Sequence, residues 1–412
     1  MKDVLNKEFK FDRAPLKYLV STPITDGPYE TPFFIERDDG VPFLSVDAIV
    51  NGELNITRDR LISQKDAKEY GRKCQPRKGD LLIGKAASTG KIAQVKEDTY
   101  FSIWSPLAMV RANDLIDTTY LEFYLKSVLG QDQIDLFSNV NTQKNVGMED
   151  LNRIQVLLPP LEDQIKIGLY LDRMNKQIDC TILKVQSQIE ELQKYKANLV
   201  TELTTKYGSS PKEKLKYLVS NMKTGPFGSD LKAEDIVTSG IPVFNQRVVL
   251  DDSLESIDSY VSQKKYDTLR TCSVHKGDML ITTRGTIGKV MYVEKEITGL
   301  LHPCLIRFRV NEKKCLPKFL KYIFNYTSSV IDQIMLMSNS TTIEVIYSYN
   351  LKDVLIPLPS LVEQRKIIDI LDEKFKSINE LIEINKNKII ELSEYKKSLI
   401  YECVTGKKEV TL

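Results

Sequence analysis

The segment Gly84-Lys85-Ala86-Ala87-Ser88-Thr89-Gly90-Lys91 has the composition of a phosphate-binding loop but not its spacing. Five residues separate its glycines where a nucleotide-cradling loop has four, and Ile92 stands where a serine or threonine must reach magnesium. A second version downstream, Gly285-Thr286-Ile287-Gly288-Lys289, departs further from the pattern. Both segments read as strand–turn–strand hairpins with glycines in the tight turn. The alternative is a hairpin facing DNA, in which Lys85, Lys91, Arg284 and Lys289 contact phosphates or base edges.

Other residues carry related chemistry. Arg72, Lys73, Arg77 and Lys78 form a basic cluster that reads either as a solvated charge run or as phosphate contacts. Asn245-Gln246-Arg247 offers amide and guanidinium groups suited to bidentate pairing with adenine or guanine edges, and Ser45-Val46-Asp47 occupies the matching place upstream. Strand-end capping is the competing explanation for both. The candidate nucleic-acid contacts are therefore Ser45, Asp47, Arg77, Lys78, Lys85, Lys91, Asn245, Gln246, Arg247, Arg284 and Lys289, with polar loops at Asn139 to Asn145 and Ser338 to Thr342 as further candidates. Catalytic constellations are not evident. His275 and His302 are the two histidines of the chain, too few for a His-based triad or metal cluster. No Asn/Asp-Pro-Pro-aromatic stretch, glycine-rich cofactor fingerprint or clear nuclease carboxylate cluster stands in the sequence. The chain reads as a binder.

Composition sets the frame. With 412 residues there is room for two or three domains, and 42% hydrophobic with 28% charged residues is ordinary for a globular protein. A net charge of +2 advertises no strong field toward nucleic acid, so any such contacts must be local or shared with a partner. Six scattered cysteines without a C-x-x-C pair point to reduced thiols and a cytoplasmic protein. No apolar run approaches the length of a membrane span, and no secretory leader is expected.

The elements that must position these residues come in two copies. Leu158-Pro159-Pro160-Leu161-Glu162-Asp163-Gln164 opens one long helical run, and Leu358-Pro359-Ser360-Leu361-Val362-Glu363-Gln364 opens another. The first run carries apolar residues at Leu171, Met174, Ile178, Ile182, Val185, Ile189, Leu192, Tyr195, Leu199 and Leu203. Steps of three and four are the period of a coiled-coil seam, and Leu371, Phe375, Ile378, Ile382, Ile389, Leu392, Tyr395 and Leu399 repeat it. Asn385 stands where the first run has Val185, either fixing register or marking a solvated gap. Ser360 with Glu363 predicts a capping box, while Tyr207-Gly208-Ser209-Ser210-Pro211 and Gly406 predict the two helix ends. Two such runs with matching seams should pack on each other as a spacer. Ahead of each run lies a strand-rich module. Leu16-Lys17-Tyr18-Leu19-Val20-Ser21 recurs as Leu215 to Ser220, Gly40-Val41-Pro42-Phe43 as Gly240 to Val243, and Lys78-Gly79-Asp80-Leu81 as Lys276 to Met279. Each reads as a turn feeding a short strand, and a short helix follows near Tyr120 to Val128 and Phe319 to Asn325. Between these anchors the copies diverge, as two recognition modules on one scaffold would.

Together these residues resemble the specificity subunit of a type I restriction–modification system. The likeness rests on Leu-Pro-x-Leu-x-x-Gln at the head of each long helix. It rests also on the Gly-Asp-x-Leu strand with its later Gly-Lys (Gly79, Asp80, Leu82, Gly90, Lys91; Gly277, Asp278, Leu280, Gly288, Lys289). The resemblance implies an α+β chain with two mixed, strand-rich target recognition domains, 1–157 and 207–357. These would be separated by long helices in 158–206 and 358–412, packed as an antiparallel coiled coil with pseudo-two-fold symmetry. It implies double-stranded DNA, two methyltransferase subunits and restriction subunits as partners, with no membrane and no catalysis in this chain. The chain itself would carry no cofactor: S-adenosylmethionine would sit in the methyltransferase, and ATP with magnesium in the restriction subunit. The recognition half of a self-contained restriction–methylation enzyme and a coiled-coil scaffold without DNA function are the competing readings.

Overall fold

The structure, a computed structural model, describes residues 9–36, 38–140, 144–206, 211–338 and 345–411. The first module is built on a four-stranded antiparallel sheet in the order Thr25–Asp26, Leu107–Val110, Leu81–Gly84, Ile92–Gln94. The second repeats the order with Val219–Thr224, Leu305–Val310, Asp278–Thr282 and Val290–Tyr292. The Gly-Asp-x-Leu segments supply the third strand of each sheet. Every residue of both strands is buried, which is why Leu81-Leu82-Ile83 and Met279-Leu280-Ile281 read as unbroken apolar runs instead of alternating ones. A further sheet stands beside each. In the first module it is smaller, with three strands, and in the second larger, with five; in both a strand from the Gly-x-Pro segment (Val41–Leu44, Ile241–Phe244) pairs parallel with a later one.

Asp80 and Asp278 explain why the Gly-Asp pair recurs. Both carboxylates are buried, and each accepts the backbone N–H three residues before it, Arg77 at 2.8 Å and His275 at 2.8 Å. Arg111 at 2.7 Å and Arg309 at 2.6 Å neutralise them from the neighbouring strand. A buried carboxylate without such partners would cost several kcal/mol, so the motif is structural. The Leu-Lys-Tyr-Leu repeat is a turn feeding a strand, Val219–Thr224 in the second module and a single bridge at Val20 in the first. Leu16–Tyr18 and Leu215–Tyr217 form 3-10 turns, because both leucines of the motif, three residues apart, are buried on one side. The short helices fall where the apolar pattern places them, Thr118–Lys126 and Pro317–Tyr326.

The long helices run unbroken over Leu161–Lys206 and Leu361–Val404, roughly 65–70 Å each at 1.5 Å per residue. Ser360 and Glu363 form the expected capping box: Ser360 N–H donates to Glu363 Oε2 at 2.8 Å, and Glu363 N–H to Ser360 Oγ at 3.3 Å. Gly406, at φ +72°, stands just past the second helix. Of the predicted end of the first, Tyr207 to Pro211, residues 207–210 lie outside the described residues, as do 141–143 and 339–342 of the two polar loops.

The molecule divides into two compact units, residues 1–185 with 387–412, and residues 186–386. Within the first, Lys396 Nζ meets both oxygens of Asp179 at 2.7 Å and Lys408 lies over the Tyr170 ring. One helix rises in number as the other falls, so the packing is antiparallel. Ile178, Leu399 and Cys403 share a core there with the first module. Within the second unit, Lys196 donates to Asn379 and lies over Phe375, while Val200, Leu203 and Leu371 join the core of the second module. The packing is antiparallel again. The seam departs from its reading at Tyr195 and Tyr395, which are half exposed, whereas Lys196, Val200 and Ile400 are buried. A straight α-helix drifts about 20° per heptad against a strict 3.5-residue repeat, and the buried stripe moves over by one position. Asn385 is partly buried.

The glutamine shared by the two helix heads is a joint. Gln164 Oε1 accepts Asp117 N–H at 2.8 Å, and its amide donates to Leu115 O at 3.2 Å and Pro159 O at 2.8 Å. Gln364 makes the same set with Leu316 N–H at 2.8 Å, Lys314 O at 3.1 Å and Pro359 O at 2.8 Å. Both side chains are buried. Each fastens the start of a long helix to the loop entering the module's short helix.

Candidate nucleic-acid interface

In the first module the hairpin turn, the segment after Val41–Leu44 and a loop at residues 27–36 come together. A Cβ on Gly84 would sit 2.7 Å from Val46, so the turn lies against Ser45-Val46-Asp47. Gly27 approaches the Ile103 carbonyl so closely that a Cβ would stand 1.8 Å from its oxygen, and only glycine lets the loop pass there. Two residues on, Tyr29 is 72% exposed, with Lys73 and Lys85 at 4.9 and 5.4 Å from its ring centre.

The candidate cations of this module differ in availability. Lys85 is buried and pairs with Asp26 at 3.1 Å, and Lys73 pairs with the same carboxylate at 2.5 Å. Burial works against the Asp26 charge, but the contacts with Lys73, Tyr29 and Lys85 hold its pKa below the usual carboxylate value. Lys91 donates to Ile49 O at 3.0 Å. The ammonium groups of Lys85 and Lys91 thus hold the turn from inside. Arg77 and Lys78 are exposed but sit at the opposite end of Leu81–Gly84 from the hairpin turn, roughly 13 Å away along the strand. Ser45 is buried, and Asp47 is exposed and pairs with Arg60 at 2.6 Å.

The second module repeats the gathering with different chemistry. Gly225 would place a Cβ 2.1 Å from the His302 carbonyl, and Phe227, two residues later, is 81% exposed. His302 is held neutral: burial lowers its pKa, the Arg284 charge adds to that, and its Nδ1 accepts Cys304 N–H at 3.2 Å. Arg284 is exposed beside Gly285, whose Cβ position lies 3.5 Å from the Gln246 amide. Asn245 caps the helix Gln246–Leu250 by accepting Val248 N–H at 3.2 Å, so the capping explanation holds for its oxygen, while its amide donates to Asp258 at 3.0 Å. Arg247 is exposed between Asp251 at 3.6 Å and Asp258 at 3.5 Å. Lys289 is half-buried and donates to Asn325 O at 3.1 Å.

One contrast stands out. At matching places the first module presents Asp47 and the second Arg247; Asp47 pairs with Arg60, and Arg247 with Asp258, which stands one position off the place of Arg60. A carboxylate only accepts hydrogen bonds and a guanidinium only donates them, so the two surfaces offer opposite hydrogen-bonding chemistry. Tyr29 and Phe227 escaped the motif reading because a single loop aromatic has no periodicity. The Gly-Pro-aromatic triplet at 27–29 and again at 225–227 is the signal that could have found them. Among the described residues no group of His, Cys, Asp and Glu side chains could hold a metal ion, and no helix is long and apolar enough to cross a membrane.

Comparison with known proteins agrees with this doubled arrangement. The family described as Type I restriction modification DNA specificity domain matches residues 29–191 and again 228–394. The type I restriction enzyme MjaVIII specificity subunit of Methanocaldococcus jannaschii is 24% identical over 351 residues, 79% of this chain and 78% of that protein. The EcoKI specificity subunit of Escherichia coli is 21% identical over 394 residues, covering 90% and 83%. Among solved structures, a chain from a study of complex assembly and conformational transition of the type I R-M system superposes with a TM-score of 0.73 at 15% identity, covering 98% of this chain and all of that one. The HsdS subunit from Thermoanaerobacter tengcongensis gives 0.50 at 16%, covering 98% and 99%.

Proposed function

The chain belongs to the type I restriction modification DNA specificity domain family, and on that premise we propose how it works as the DNA specificity subunit of a type I restriction–modification system. Each module reads one half of a split, asymmetric target in double-stranded DNA. The observation that carries this is the shared scaffold with opposite exposed charge at one matching place, Asp47 in one copy and Arg247 in the other. Asp47, Gln246, Arg247 and Arg284 face base edges, with Ser45 and Asn245 holding the segments that present them, while Arg77 and Lys78 serve phosphates. Lys85, Lys91 and Lys289 shape the hairpin turns from behind. Tyr29 and Phe227 add exposed aromatic surface to each reading face.

The chain does no chemistry itself in this proposal. Two methyltransferase subunits dock along the long helices, one for each half, and restriction subunits join them. S-adenosylmethionine belongs to the methyltransferase, and ATP with magnesium to the restriction subunit. The assembly works in the cytoplasm, where reduced thiols persist. The long helices act as a ruler. Inserting one heptad after Val185 and another after Lys386 adds roughly 10 Å to both, or about three base pairs of DNA at 3.4 Å each. The tolerated spacer between half-sites should lengthen by that amount when methylated sites are mapped. An unchanged spacer would remove the ruler from the account.

A further inference from the structure

In the second unit an open cleft of about 550 Å³ lies between the second module and the long helices, lined among others by Lys196, Lys289, Asn325 and Asn379. Lys196 is buried, its ammonium facing the Phe375 ring at 5.0 Å and the Asn379 side-chain oxygen. Lys289, half-buried, faces the Tyr326 ring at 5.9 Å and the Asn325 carbonyl. Neither forms an ion pair among the described residues; Lys386 on the same cleft is paired, with Glu383 at 2.6 Å. Two uncompensated ammonium groups thus share one solvent-connected cavity. Burial lowers the pKa of both, for Lys196 with the Lys386 charge adding to it. Buried cations of this kind are ordinarily paired.

The repeat shows what has been removed. In the first unit Lys396 stands in the place of Lys196, and Asp179 in the place of Asn379; there the ammonium meets a carboxylate at 2.7 Å. The second unit keeps the lysine and replaces its counter-ion with a neutral amide. We infer that this cleft is an anion site that takes a phosphate group, held between Lys196 and Lys289 with the Asn379 amide as a further donor. A carboxylate presents two oxygens in one plane, whereas a phosphate group, free or in a diester, presents tetrahedrally disposed oxygens that can accept from both ammonium groups and the amide at once.

The test is thermal unfolding of the full chain in potassium phosphate against potassium chloride at equal ionic strength. Phosphate at about a hundred times its Kd should raise Tm by roughly 5 °C. Asn379→Asp supplies the missing carboxylate: it should raise Tm in chloride and abolish the phosphate-specific rise. Lys289→Met should also diminish that rise. A phosphate effect equal in wild type and Asn379→Asp would place the anion elsewhere and overturn the proposal, as would the absence of any phosphate-specific effect. Binding of a thirty-base-pair duplex then separates the two sources of phosphate. A loss of affinity in Asn379→Asp, with a salt slope smaller by about 0.9, identifies a DNA backbone phosphate; unchanged DNA binding identifies a free phosphate compound.

Discussion

Replacing residues 1–157 with the corresponding module of another family member is expected to change one half of the methylated target and leave the other half intact. The expectation follows from where the differing chemistry lies. Tyr29, Asp47 and Arg60 belong to the first module alone, and Phe227, Gln246, Arg247 and Arg284 to the second. What the copies share, the buried Asp80 and Asp278 and the helix-head glutamines, holds the scaffold. Each mismatched base pair costs about 1–3 kcal/mol, so two altered base contacts lower occupancy of the old half-site roughly 100-fold or more. Methylation mapping of the chimera with its methyltransferase would show the change. If both half-sites altered together, the modules would not read independently.

The second large effect concerns folding. Gln364→Leu keeps nearly the same volume but removes three hydrogen bonds in a buried site, leaving Leu316 N–H and the Lys314 and Pro359 carbonyls without their partner. Orphaning buried polar groups costs about 1–3 kcal/mol each, and partial relaxation brings the total to roughly 3–5 kcal/mol. For a unit of this size that lowers Tm by roughly 10 °C. Gln164→Leu should do the same in the first unit, while Gln186→Leu, on an exposed helix position, should stay within about 0.5 kcal/mol. Urea or thermal unfolding of the three variants decides. A Gln364→Leu change below about 1 kcal/mol would mean that the glutamine is not the joint between helix and module.

Much of this architecture was legible because the chain states it twice. The helix heads, the capping box at Ser360 and Glu363, the short helices and the hairpin at Gly84 all follow from local pattern, and repetition separates pattern from coincidence. Long-range partners were not legible. Nothing near Lys85 in sequence announces Asp26, and that pairing turns an apparent phosphate contact into a support for the turn. The aspartate of Gly-Asp-x-Leu carries no mark of the arginine that neutralises it from the next strand. Tyr195 and Tyr395 fit the heptad pattern, yet slow rotation of a straight helix carries them outward. The partners of Asp47 and Arg247 needed the fold, because Arg60 and Asp258 lie 13 and 11 residues further along the chain.

The most direct measurement is to co-express this chain with its methyltransferase subunit and map methylated adenines across the host genome. The account predicts one split motif with unequal halves, methylated on both strands and absent when this chain is left out. The same methylation pattern without this chain would contradict it, since specificity would then reside in the methyltransferase and the paired modules would need another purpose.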